Sequence, residues 1–299
     1  MTYHSYFYQM DNTDLDHILL NALSEDIGEG DHTSCAVIPE TAYGKAVLIA
    51  KQDGILAGVR VIQRLFKLFD SKLQVHLFQM DGNRIHSGME IMHLEGPSLS
   101  ILQTERLALN IIQRMSGIAT QTSSYVKLMN GTHTKVLDTR KTTPNLRLLE
   151  KEAVRIGGGE NHRMGLYDMI MLKDNHIDFA GGIEKAIIQT HKYLEKQNKK
   201  LKIEIEVRDF NELEQVLKIG RIDRIMLDNF TPDETRQAVV LINGKYETES
   251  SGGITLETIR DYALAGVDYI SVGALTHQIF SLDLSLDRKS GSAGMPRPI

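Results

Sequence analysis

The sequence predicts an α/β protein in two parts: an α+β unit, then a run of βα units that forms an α/β barrel, with an open doubly wound sheet as the competing arrangement. Three observations lead there. The chain has 299 residues, 41% hydrophobic and 24% charged, enough to bury a substantial core in one or two domains. Up to about residue 115, short β-prone pieces alternate with a helical stretch; beyond it, apolar segments recur with amphipathic helices between them. Charged residues and glycines gather where those apolar segments end.

In the first part, "KAVLIAKQDGILAG" and "MEIMHLEG" are β-prone, while "VRVIQRLFKLF" carries its apolar positions at helical spacing. A long helical pattern, "LSILQTERLALNIIQRMSGIATQTSSYVKLMN", leads into the second part. There the expected strands are "THTKVLD", "YDMIMLKD", "LKIEIEV", "DRIMLDN", "KYETES" and "VDYISVG". The helices between them include "GIEKAIIQTHKYLEK", "FNELEQVLKIG", "PDETRQAVVLI" and "TLETIRDYALAG". The last has Thr255 and Glu257 at its expected start and Gly266 at its end.

Composition excludes several classes of function. No stretch approaches the roughly 18 apolar residues of a membrane helix, and the opening "MTYHSYFYQM" lacks the basic start and apolar centre of a secretion signal, so no membrane partner and a cytoplasmic location are expected. Cys35 stands alone, which rules out an intramolecular disulfide and a Cys-based zinc site. A net charge of -5, with no basic block beyond "KQNKK", argues against nucleic acid as a partner.

In a parallel barrel all strand ends converge on one face, the usual place for a site. Those ends supply Asp138, Arg140 and Lys141, then Lys173, Asp174, Asn175 and His176. Next come Glu204 and Glu206, Asp228 and Asn229, Ser250 to Gly253, and Ser271 with Gly273. Alternation in "IEIEV" points both glutamates to one side, opposite Ile203, Ile205 and Val207. An acidic pair inside a barrel needs cations or a metal, although a pairing with barrel lysines would also satisfy it. "GGGENHRMG" reads as a loop over an anion or as a plain hinge, and adds His162 and Arg163 to a positive pocket. "ESSGGI" and "SVGALTH" supply backbone N–H groups suited to phosphate, with tight turns as the bland alternative. The residues alone thus indicate an enzyme acting on an acidic small molecule and a phosphorylated one, with a divalent metal.

The assembled motifs resemble the quinolinate phosphoribosyltransferase family. The likeness runs from about residue 14 to 287 through "ALSEDIGEGDHTS", "TERLALNIIQRMSGIAT", "DTRKTTPNLR", "AVRIGGGENHRMGLYDMIMLKDNH", "IEIEV", "IMLDNF", "ESSGGI" and "GVDYISVGALTH". It implies an N-terminal α/β sandwich domain (1–115), an incomplete, about seven-stranded α/β barrel (116–273), a C-terminal segment packing back on the first domain (274–287), and a disordered tail (288–299). It also implies transfer of the phosphoribosyl group of PRPP to quinolinate with Mg²⁺, releasing pyrophosphate and CO₂ and forming nicotinate mononucleotide for NAD synthesis. The expected assembly is a homodimer, or a higher oligomer built from it, with the active site shared between subunits. By motif position, Arg140, His162, Arg163 and Lys173 are expected to bind the quinolinate carboxylates, and Arg106 to come from the neighbouring subunit. Lys141, Glu206 and Asp228 are expected to handle PRPP catalytically, Glu206 and Asp228 through the metal, with Glu204 a weaker candidate. Ser251, Gly252, Gly253, Gly273 and Ala274 fall on the phosphate-binding loops, with His277 beside them. Asn145 stands where many relatives carry Gly, and tolerates the left-handed turn that position needs. Two other readings stay open: a related barrel protein linked to molybdenum transport, and a non-catalytic sensor of a phosphorylated metabolite.

Overall fold

A computed structural model describes residues 12–288, so the opening residues and all but the first residue of the tail expected at 288–299 lie outside the described part. Within it the chain forms two compact units. One takes residues up to Gln121 with Thr143–Gly157 and the segment from Ile279; the other takes Thr122–Thr142 and Gly158–Gln278.

The first unit starts with helices α1 (Asn12–Ile27) and α2 (His32–Val37). There follow β1 (Tyr43–Ala50), β2 (Gly54–Ile55), α3 (Val59–Phe69), β3 (Gln74–Leu77), β4 (Arg84–Ile85), β5 (Glu90–Pro97) and the long α4 (Ser98–Leu128). The helical spacing of "VRVIQRLFKLF" is realised in α3, which buries Val59, Val61, Ile62, Leu65 and Phe66. Asp81 Oδ1 accepts from the Gly58 and Val59 amides at 2.7 and 2.8 Å, satisfying donors that the helix start leaves without partners. A bidentate pair from Arg64 to Asp16 ties α3 to α1.

The second unit carries β6 (Lys135–Leu137). After it, α5 (Arg147–Ile156) groups with the first unit, where its buried Glu150 accepts from Arg114 Nε at 2.8 Å and from the Thr143 amide at 3.0 Å. In the second unit there follow β7 (Ile170–Leu172), α6 (Asp174–Ala180), α7 (Ile183–Lys196), β8 (Ile203–Val207), α8 (Phe210–Ile219), β9 (Arg224–Asp228), α9 (Pro232–Ile242), β10 (Glu247–Ser251), α10 (Ile259–Ala265), β11 (Tyr269–Ser271) and α11 (Ala274–His277). The chain then returns to the first unit as β12 (Leu284–Arg288), which pairs antiparallel with β1 and completes the sheet order β12-β1-β5-β3. Arg288, counted with the tail from sequence, ends this strand opposite Ala46.

All six strands read from the second half are present, parallel, in the order β6-β11-β10-β9-β8-β7. A further parallel bridge joins Leu137 to Glu160 on the free side of β6, with Glu160 N donating to Val136 O at 2.8 Å. Six strands and this one-residue bridge make an incomplete α/β barrel. The bridge also explains "GGGE": Gly157 ends α5, Gly158 turns with φ of +92°, and the chain comes back beside β6. These glycines build the seam of the barrel, where the sequence suggested a loop over an anion. Helix α10 begins at Ile259, later than Thr255 and Glu257 implied, because the Thr255 amide donates to Thr258 Oγ1 in a preceding turn. Gly266 ends it in the left-handed conformation, as expected. Asn145 takes φ of +66°, so the turn is kept without glycine.

Gly117 of α4 offers a stability test inside the first unit. A Cβ there would lie 2.2 Å from the Phe280 carbonyl oxygen, where the returning chain crosses the helix. Leu282 N donates to Gln113 O beside it at 2.9 Å. Gly117→Ala, favourable for an isolated helix, is therefore expected to destabilise the protein by about 1–3 kcal/mol through overpacking. An unchanged or higher melting temperature would show that the segment shifts freely.

Candidate active site

The barrel strands hold both faces out of water: Ile203, Ile205 and Val207 of β8 are buried on one side, Glu204 and Glu206 on the other. The glutamates share their side with alternate residues of β9 and β10, and the result is a polar interior in place of the branched apolar layers usual in barrels. Lys202 Nζ lies 3.2 Å from Glu247, which bonds Arg224 at 3.1 Å; Arg224 Nη1 reaches Glu249 Oε2 at 3.0 Å. His162 Nε2 then lies 3.4 Å from Glu249 and 3.0 Å from Glu204. Tyr269 stacks on the Arg224 guanidinium, 4.0 Å from ring centre to Cζ.

Burial opposes charge on Arg224, Glu249, His162 and Glu204, and the partners decide who keeps it. The Glu249 carboxylate, which burial would push up, is instead held at about 2 by His162 and Arg224. Burial would lower the His162 pKa, and the charges of Glu249 and then Glu204 act against that and raise it. Glu204 is shifted up, by burial first and then by Glu249. The Nε2 side of His162 thus faces carboxylates inside the barrel, while Nδ1 keeps the lone pair that accepts the Arg163 amide at 2.7 Å.

At the C-terminal strand ends a second group forms. Lys173 Nζ, just beyond β7, sits 2.8 Å from Glu206 Oε2. Asp228, half-buried at the end of β9, has a raised pKa, through burial and then the Glu206 charge. Glu206 thus disfavours the ionisation of Asp228, and carboxylate oxygens are the donor type that suits Mg²⁺. Asn229 follows in the left-handed conformation, donating from Nδ2 to Asp228 at 2.7 Å and from its amide to Ser251 O at 2.8 Å.

Ser251 is paired in register with Asp228, so the Ser-Gly-Gly loop starts beside that carboxylate. Gly252 has φ of +99°, and a Cβ on it would meet Asn229 Oδ1 at 2.2 Å; both reasons require glycine. Gly253 is also left-handed, at +59°. The helix start expected directly behind them lies further on, at Ile259, which leaves the turned backbone of the loop itself to face an anion. Gly273 and Ala274 open the short α11, and a Cβ on Gly273 would touch His277 Nε2 at 3.0 Å and Lys141 Cδ at 3.1 Å. Thr276 Oγ1 donates to Lys141 O at 2.9 Å, locking that loop to β6.

Arg140 is exposed, and Arg163 is partly buried with Nη1 donating to Met169 O at 3.2 Å. The Arg163 pKa is lowered, by burial and then by the charge of Arg140. The two guanidiniums are within reach of each other's field, an arrangement that suits an anion, and buried Asp138, which accepts the His162 amide at 2.8 Å, fixes the backbone just before Arg163. Arg106 is exposed on α4 in the first unit. The residues that sequence reasoning did not single out are Arg224 and Glu249. The signal was there: each lies an even number of residues before a named residue, Asp228 or Ser251, on the same strand face.

The comparisons with known proteins agree across the chain. Residues 31–116 match the model of the quinolinate phosphoribosyl transferase N-terminal domain, and residues 118–287 that of the C-terminal domain. A quinolinate phosphoribosyltransferase [decarboxylating] of Nicotiana glauca, named as mitochondrial, is 43% identical over 91% of this chain and 82% of its own. A nicotinate-nucleotide pyrophosphorylase [carboxylating] of Arabidopsis thaliana, named as chloroplastic, is 44% identical over 91% of this chain and 82% of its own. The crystal structure of NadC from Streptococcus pyogenes superimposes with a TM-score of 0.88 at 42% identity, covering 93% of this chain and 97% of that one. On its fold, its strand-end residues and these matches, the chain belongs to the quinolinate phosphoribosyltransferase family.

Proposed function

We propose that the protein transfers the phosphoribosyl group of PRPP to quinolinate with loss of CO₂, yielding nicotinate mononucleotide and pyrophosphate. The observation that carries this is the presence in one parallel barrel of a guanidinium pair, Arg140 and Arg163, suited to a dicarboxylate, and a carboxylate pair, Glu206 and Asp228, suited to a developing cation. Family membership favours it over the molybdenum-transport and sensor readings. The described helices include none long and apolar enough to cross a membrane.

Cleavage of the bond between ribose C1 and the pyrophosphate oxygen leaves oxocarbenium-like charge, which Glu206 and Asp228 stabilise from the strand ends. Lys141 and the loops at Ser251–Gly253 and Gly273–Ala274 hold the phosphates. Glu206 and Asp228 would also hold Mg²⁺, whose contribution is to neutralise the leaving pyrophosphate. The quinolinate nitrogen takes the ribosyl carbon, and Arg140, Arg163 and Lys173 orient the two carboxylates. The 2-carboxylate then leaves as CO₂, its bonding electrons pass into the cationic ring, and a proton replaces it at that carbon. Pyrophosphate release measured with quinolinate and PRPP together, and with each alone, tests the assignment; release that needs only PRPP would overturn it.

We further assign Arg106 to the active site of a partner subunit in a homodimer, since it is exposed on a helix of the first unit while the other site residues are in the second. Arg106→Ala and Lys141→Ala proteins, each inactive alone, are expected to regain part of the activity when mixed under subunit exchange, because one hybrid site contains neither substitution. No recovery despite demonstrated exchange would place Arg106 in its own chain's site.

A further inference from the structure

Glu249 has no place in the reaction just described, yet it is fully buried and its carboxylate joins two other functional side chains. One oxygen accepts from Arg224 Nη1 at 3.0 Å and lies 3.4 Å from His162 Nε2. The other side of the imidazole is also engaged: Nδ1 accepts the Arg163 amide at 2.7 Å. The ring is therefore hydrogen-bonded at Nδ1 to the backbone of the arginine that faces Arg140, and its Nε2 lies against a carboxylate pair inside the barrel.

We infer that Glu249 is a positioning residue for the transfer reaction, fixing the His162 ring and, through its Nδ1, the Arg163 peptide that presents the substrate-binding guanidinium. Three features support it. The His162 amide is pinned independently by Asp138 at 2.8 Å, so the backbone is fixed and the ring alone is left for the interior groups to orient. Arg224, itself buried and stacked on Tyr269, holds the Glu249 carboxylate from behind and denies it other rotamers. Glu249 is on β10 two residues before Ser251, on the same strand face, so it shares a rigid element with the phosphate loop. Glu204 approaches the same Nε2 from β8 at 3.0 Å and keeps the proton there when Glu249 is altered. The inference rests on the assignment of Arg163 to the aromatic dicarboxylate.

The test compares Glu249→Gln and Glu249→Asp in the full chain, with steady-state kinetics for both substrates and ¹⁵N-histidine spectra, the His162 signals being assigned by their absence in His162→Gln. Glu249→Gln is expected to raise the quinolinate KM by about tenfold or more and to leave the PRPP KM within about threefold, with Glu249→Asp recovering part of the loss. The His162 ring nitrogens should shift in Glu249→Gln without any substrate present. If removal of one buried charge prevents folding, the paired Arg224→Met/Glu249→Met protein restores neutrality, and the same rise in quinolinate KM is expected. An unchanged quinolinate KM in a folded variant, or equal weakening of both substrates, would overturn the inference. Unshifted His162 signals would overturn it whatever the substrate proves to be, whereas shifted signals in a protein that ignores quinolinate would uphold the coupling and sink the assignment of function.

Discussion

Replacing Glu206 by Gln or Asp228 by Asn is expected to lower kcat by about two to four orders of magnitude, the largest loss for any single change in this protein. Both carboxylates sit at converging strand ends, and burial together with the Glu206 charge disfavours the ionisation of Asp228, a cost that has a use only when positive charge arrives. That charge develops in the transition state, so the loss should fall on the chemical step and not on ground-state binding. Glu206 makes the distinction sharp, because it also pairs with Lys173 at 2.8 Å. Removing it frees the lysine for substrate, so quinolinate should bind no more weakly than before. Single-turnover measurements with separate binding titrations check this, and chelation followed by Mg²⁺ addition should abolish and restore turnover. A variant that merely raised the quinolinate KM would assign Glu206 to substrate binding.

The second large effect is discrimination between quinolinate and nicotinate, which lacks the 2-carboxylate. Four cations look available from sequence, but the structure pairs Lys173 with Glu206 and His162 with Glu204 and Glu249. Arg140 and Arg163 are the arginines proposed to meet the dicarboxylate. Arg140 is exposed and Arg163 half-buried, so a missing carboxylate costs about 1.5–3 kcal/mol, and nicotinate should be slower by roughly 10–10²-fold in kcat/KM. Phthalate, which keeps adjacent carboxylates and lacks the nucleophilic nitrogen, should inhibit competitively. Arg163→Ala should weaken quinolinate and phthalate together and spare PRPP. Equal turnover of nicotinate, or no competition by phthalate, would mean that the pocket takes a single carboxylate.

The fold was readable because its elements are written in local patterns. The β8 alternation, the apolar face of α3 and the turn at Asn145 each depend on a few neighbouring residues and appear as expected. Other features depend on contacts that only the folded chain brings together. The glycines at 157–159 resemble a ligand loop until Glu160 is seen beside Leu137. Thr255 resembles a helix start until its amide is found bound to Thr258. His162 reads as one more cation for the pocket because Glu249, 87 positions later in the numbering, faces it only once β10 is in place. Residue types at strand ends are visible in a sequence; which charges cancel one another is a property of the closed sheet.

The alternating charges from Lys202 through Glu247, Arg224 and Glu249 to His162 and Glu204 also bear on how such a chain can change over generations. Losing any one member strands its neighbour, so a lineage can leave this arrangement only by compensated double steps. Substitutions there should appear in pairs across homologues, while the outer helices drift one residue at a time. The barrel interior is in that sense inherited as a block.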